Sequence, residues 1–98
     1  MNAEPVRRQV TITNPQGLHL RPIQVFVELA GRFQSDVYVM KEGGERINGK
    51  SALGLLGLAA EQGTELMVEV SGPDQNEAIE ALAGFLANVR TQEEEAQA

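Results

Sequence analysis

Asn14-Pro15-Gln16-Gly17-Leu18-His19-Leu20-Arg21-Pro22 is where one hydrophobic period ends and another begins in this 98-residue chain. Upstream, Val6, Val10 and Ile12 share one face of a stretch running from Val6 to Thr13. Gln9, Thr11 and Thr13 take the other, and alternation of this kind predicts a strand. Arg8 falls on the apolar face by parity. Downstream, Ile23, Phe26, Val27, Ala30 and Phe33 recur at near-helical spacing, which predicts a helix with one buried face. Asn14 to Gly17 is a strong turn signal between the two. Pro22 suits the first turn of a helix, where its missing N–H has no intrahelical partner to lose. Gly31 marks the far end. His19 and Leu20 therefore sit at or just before the helix start.

The same reading extends to the rest of the chain. Asp36 to Lys41 alternates, with Val37 and Val39 inward and Tyr38 and Met40 outward. Glu42-Gly43-Gly44-Glu45 is a hairpin turn, and Arg46 to Asn48 a short returning strand. Ser51 is a good N-cap for a short helix over Ala52 to Ala60, ended by Gln62-Gly63. Glu65 to Ser71 alternates, with Leu66, Val68 and Val70 on one face. Asp74 with Glu77 reads as a capping box. Ala78, Leu82, Phe85, Leu86 and Val89 form the last helical stripe. The predicted order is β-α-β-β-α-β-α. A sheet with one apolar face and two longer helices to cover it gives an α+β fold, a two-layer open-faced sandwich. The expected division is one domain over residues 1–90 and an acidic tail over residues 91–98. That tail has no apolar anchor and is expected to fray.

Composition narrows the functional classes. Apolar residues make up 42% of the chain, enough for one core, but aromatics are limited to three Phe and one Tyr. The net charge of −6 argues against general electrostatic binding to nucleic acid or an anionic membrane. There is no Cys and a single His, so disulfides, thiolate chemistry and multi-His metal sites are excluded. Glu93-Glu94-Glu95 reads as a solubilising run rather than a metal site, and no cofactor is expected. Residues 1–10 lack the apolar core of a signal peptide, and no run approaches the ~20 apolar residues of a membrane span. The expectation is a cytoplasmic protein.

His19 carries the chemistry. A helix start beside it offers outward-pointing N–H groups and the positive end of the dipole to an anion. Arg21, two residues on, has a guanidinium whose paired donors match phosphate oxygens. Imidazole in general has an unperturbed pKa near ~6.5, so a neutral nucleophilic nitrogen is available at neutral pH. A phosphoryl group on an imidazole nitrogen is labile, which suits a carrier. By spacing alone, a surface histidine beside a solvated arginine is the commoner arrangement, and both readings stand at this point. Arg7, Arg8 and Arg32 read as solvated surface charges, and Tyr38 as a surface or sheet-edge aromatic.

Gly17-Leu18-His19-Leu20-Arg21-Pro22 resembles the active-site signature of HPr, the histidine-containing phosphocarrier family of the bacterial phosphotransferase system. That signature is usually Gly-(Leu/Ile)-His-Ala-Arg-Pro-Ala. A second block, Asn48-Gly49-Lys50-Ser51-Ala52-Leu53-Gly54-Leu55-Leu56-Gly57-Leu58, resembles the family's regulatory-serine segment. Spacing, length and element order agree, over about Val6 to Val89. The resemblance implies that His19 is phosphorylated on Nδ1 by phosphorylated enzyme I, itself charged from phosphoenolpyruvate. It implies an enzyme IIA protein or domain as acceptor in sugar transport, and Arg21 as the residue that steadies the phosphoryl group. It matches Ser51 to the serine that HPr kinase/phosphorylase modifies in many members. The protein would be a carrier, not an enzyme, and a monomer that docks transiently. Two positions depart from the signature. Ile23 falls on the helix's apolar stripe, whereas Leu20 adds bulk beside the nucleophile and bears on partner choice.

The segment from Ala52 to Ala60 holds no charge. It is either a fully tucked helix or a docking patch. The family's use of this helix favours docking, with Leu53 and Leu56 as the contact residues by spacing and Leu20 beside the nucleophile. Ser51 is an N-cap in either case. A phosphate there would place about −1.5 to −2 charges beside an apolar surface. The competing class is a regulatory HPr-like protein that acts by partner binding without sugar transport. Paralogues that have lost the histidine behave this way, and this chain keeps it. An acylphosphatase-like hydrolase has similar size, but its Arg-bearing Gly-rich phosphate loop is missing here.

Overall fold

The computed structural model describes residues 4–89. The elements are β1 (Val6–Thr11), α1 (Leu20–Ala30), β2 (Asp36–Lys41), β3 (Ile47–Asn48), α2 (Ala52–Gly57), β4 (Glu65–Ser71) and α3 (Gln75–Ala87). The expected order and class are observed. The four strands form one antiparallel sheet in the order β1-β4-β2-β3.

The period-2 pattern decides which face is covered. Val10, Leu66, Val68, Val70, Val37 and Val39 point to the helices and are buried. Ile23 and Phe26 of α1, Leu55 of α2, and Ala78, Leu82 and Leu86 of α3 close over them. With so few aromatics, the core rests on branched aliphatics. Phe26 and Phe85 meet with ring centroids 6.5 Å apart, tying α1 to α3.

On the uncovered face the register sets Arg7, Glu69, Tyr38 and Asn48 in one row across all four strands. Glu69 is buried there, accepting from Arg7 Nε and Arg46 Nη2, each at 2.8 Å. The Arg46 guanidinium also lies 4.0 Å from the centre of the Tyr38 ring. A carboxylate this enclosed needs paired donors, and two arginines supply them. This corrects the expectation for Arg7, which is paired rather than simply solvated; of the two readings of Tyr38 the surface one holds and the sheet-edge one does not, since its strand is interior to the sheet. Arg8 resolves its parity conflict by bonding Glu80 of α3 at 2.7 Å. The guanidinium holds the Glu80 carboxyl below its ordinary range, through the hydrogen bond first and the charge second.

At two boundaries and one helix cap the structure departs from expectation. β1 stops at Thr11, although Ile12 still exchanges backbone bonds with Gly63 and Thr64. The chain then turns inward because Asn14 is buried. α2 stops at Gly57, because Ala59 adopts φ 49°, a left-handed conformation that cannot continue a helix. Asp74 stands at the N-cap of α3 but makes no side-chain cap bond there. Its carboxylate instead accepts from the backbone N–H groups of Gln34 and Ser35 and from the Ser35 hydroxyl. Loop closure between α1 and α3 has outcompeted local capping. The acidic segment, residues 91–98, lies outside the described residues.

Candidate functional site

The site loop, residues 14–19, is folded by its own backbone. Gly17 donates to the Asn14 carbonyl at 2.8 Å, and Asn14 Nδ2 returns a bond to the Gly17 carbonyl at 3.0 Å. Gly17 has φ 71°, and a Cβ there would lie 2.5 Å from the Ala60 carbonyl oxygen. Only glycine meets both demands. The next residue, Leu18, donates to that same Ala60 oxygen at 2.8 Å. The loop that delivers the histidine is thereby clamped to the exit of α2.

His19 is the N-cap of α1, with extended backbone (φ −100°, ψ −173°). Its carbonyl accepts from Ile23 N at 3.1 Å, while its imidazole makes no cap bond. His19 therefore stands at the positive end of an 11-residue helix without its ring being spent on that helix's N–H groups. No acidic residue occupies the first turn to neutralise that end. Pro22 is buried in the same turn. The imidazole is half-buried, and its Nε2 is enclosed with no hydrogen-bond partner among the described residues. A second enclosed atom, Asn14 Oδ1, is in the same condition. The sequence pattern singled out His19 but read Asn14 only as a turn residue. Its burial, 2% exposed, is what marks it out.

Arg21 is exposed on the first turn of α1. Leu20, beside it, is 54% exposed. Ser51 is the N-cap of α2, its Oγ accepting from Gly54 N at 3.1 Å, as its sequence position predicts. The neighbouring Lys50 reaches Phe33 O with its Nζ at 2.9 Å, joining the start of α2 to the end of α1.

The uncharged α2 segment divides by face. Leu55 and Leu58 are buried, while Leu53 is 81% and Leu56 46% exposed. Val25 of α1 is also exposed, and was missed because it lies off the apolar stripe. Leu20, Val25, Leu53 and Leu56 are the large apolar side chains standing in solvent among the described residues. All four lie on α1 and α2, which pack against each other. Large exposed apolar side chains gathered on two packed helices are candidates for an interaction site. No cluster of metal-ligating side chains occurs among the described residues, and no described helix is long and apolar enough to cross a membrane.

Comparison with known proteins identifies the family. The PTS-HPr family profile, described as the PTS HPr component phosphorylation site, matches residues 6–88. The phosphocarrier protein HPr of Neisseria meningitidis is 40% identical over 81 residues, spanning 83% of this chain and 90% of that protein. The HPr-like protein Crh of Bacillus subtilis is 41% identical over 81 residues, 83% of this chain and 94% of Crh. Crh has also been solved as a domain-swapped dimer, with a TM-score of 0.67 to this chain. The HPr structure from Bacillus anthracis superposes with a TM-score of 0.80 at 34% identity, covering 86% of this chain and 99% of that one. The chain belongs to the HPr family, the phosphocarriers of the phosphotransferase system, which carry a phosphoryl group and are not enzymes.

Proposed function

We propose that His19 is the residue phosphorylated in this chain, on Nδ1, with phosphorylated enzyme I as donor and an enzyme IIA protein or domain as acceptor in sugar transport. The observation that carries the reading is the state of the imidazole. It stands at the α1 N-terminus with Nε2 enclosed by the fold. A nitrogen sealed inside the protein cannot meet a phosphoryl group on another protein, which favours Nδ1 as the nucleophile.

In that step the Nδ1 lone pair forms a bond to phosphorus as the donor's bond to phosphorus breaks. The electron pair of the broken bond returns to the donor. No proton leaves the ring, because the nucleophilic nitrogen is the unprotonated one. The N-terminus of α1 supports the added negative charge. Arg21 is assigned to steadying the phosphoryl oxygens. The little that remains is positioning, supplied by the Gly17 loop.

Docking is assigned to Leu20, Leu53 and Leu56. Ser51, at the head of α2, is assigned as the regulatory position for HPr kinase/phosphorylase, where a phosphate would set negative charge beside Leu53 and Leu56 and weaken docking. A monomer that docks transiently suits this exchange of partners, and a cytoplasmic setting suits the donor.

The decisive test is acid-labile phosphate after mixing the chain with phosphoenolpyruvate and a cognate enzyme I. The expected result is one labile phosphate per chain, lost in His19→Ala. An undiminished yield in that variant would sink the assignment. The second reading, regulation by partner binding without sugar transport, draws on the similarity to Crh and on the exposed leucines. Efficient transfer from this chain to an enzyme IIA in vitro would count against it.

A further inference from the structure

We propose that Asn14 is the positioning residue of His19, its Oδ1 accepting the Nε2–H hydrogen bond once Nδ1 carries the phosphoryl group; this rests on the phosphocarrier reading above.

Two buried side-chain atoms lack a hydrogen-bond partner among the described residues, Asn14 Oδ1 and His19 Nε2. They belong to the first and last residues of one six-residue loop, residues 14–19. That loop is closed on itself by the paired Asn14–Gly17 bonds. The bond from Asn14 Nδ2 to the Gly17 carbonyl settles the orientation of the amide, so the end left over is its carbonyl oxygen. The chemistry of the two atoms is complementary: one only accepts, and the other donates whenever it carries a proton. Each such atom left unpaired inside a protein is destabilising.

Phosphorylation sharpens the need for a partner. With phosphorus on Nδ1, the ring's remaining nitrogen is the one that holds the proton, and it is the enclosed one. Solvent cannot serve it. The Asn14 carbonyl is the acceptor that the same loop encloses, and the imidazole turns to meet it as Nδ1 takes its load. The same bond favours the neutral tautomer with hydrogen on Nε2, which leaves the Nδ1 lone pair directed outward for attack.

The test is ¹⁵N NMR of the whole chain, labelled at histidine and phosphorylated with phosphoramidate, so that no partner protein is needed. In the unsubstituted chain the Nε2–H is expected to exchange with water more slowly than in free phosphohistidine. Asn14→Ala should speed that exchange by about threefold to tenfold, the worth of one net hydrogen bond. Asn14→Asp, which keeps an acceptor but loses the Nδ2 bond to Gly17, should retain the protection. Equal loss in both variants would assign Asn14 to loop folding alone and overturn the proposal. If neither variant folds, exchange in the unsubstituted chain at the rate of free phosphohistidine overturns it by itself. A chain with a protected Nε2–H that takes no phosphoryl group from enzyme I would sink the carrier reading and leave this one standing.

Discussion

Leu18 donates its backbone N–H to the carbonyl of Ala60 at 2.8 Å. This one bond joins the loop carrying His19 to the chain leaving α2, across about forty residues of sequence. It joins the His19 loop to the segment that leaves the helix headed by Ser51.

Gly17→Ala attacks that joint directly. The new Cβ would press on the Ala60 carbonyl in a left-handed backbone. The expected cost is about 1–3 kcal/mol, read as a lower urea midpoint at unchanged slope. Transfer from enzyme I should fall further than stability predicts, because the loop that aims the imidazole must move.

Ala59→Gly tests the other side of the joint. Ala59 is exposed with φ 49°, so its Cβ carries strain and makes no contact that burial would reward. The variant should be neutral or more stable by up to about 1 kcal/mol. Clear destabilisation in chemical denaturation would show that Ala59 has a packing role.

Asp74 sets an acid limit. Its carboxyl is held below the ordinary range, first by the Ser35 hydroxyl and then by the Gln34 N–H. As pH falls below the usual aspartate value of about 3.9, the unfolded chain takes up this proton before the folded one. The stabilisation is thus complete above that pH and is lost as pH drops through the lower folded value. Asp74→Ala should lower the denaturation midpoint at pH 7, with the gap to the parent narrowing at pH 3. A gap independent of pH would remove Asp74 from the account.

Leu53 separates docking from folding. At 81% exposure its replacement by Glu should change stability by less than about 0.5 kcal/mol. Transfer to an enzyme IIA should nonetheless slow by about tenfold, the effect of losing one apolar contact of about 1.4 kcal/mol. Unaltered transfer would move the docking surface elsewhere.

Glu69 tests the open face of the sheet. Glu69→Ala leaves Arg7 and Arg46 without their shared carboxylate. Both arginines stay half in solvent, so the expected loss is about 1 kcal/mol, measured by thermal or urea unfolding. The transfer reaction should be unaffected, since this row lies on the face away from the helices.

The local sequence was enough for element type and for placing His19 at a helix start. Alternation at Val37 and Val39, and at Leu66, Val68 and Val70, reports a one-sided sheet because successive side chains point to opposite faces. The spacing of Ile23, Phe26 and Ala30 reports a helix for the corresponding reason. Pro22 and the turn before it place His19 at that helix's start, and the match to a known family then names the chemistry.

Long-range competition was not legible. Asp74 looks like a cap until Gln34 and Ser35, some forty residues away, offer three better donors. Ala52 to Ala60 looks like one helix until the site loop draws on the Ala60 carbonyl and Ala59 breaks the run. Arg7 and Glu69 become partners only through strand register. Asn14 reads as a turn residue until burial removes the water its side chain would otherwise bond. Period and turn chemistry are properties of neighbours in sequence, so the chain alone determined them. Which polar groups meet, and which of them lose their water, depends on segments brought together from far apart, and only the tertiary structure decided that.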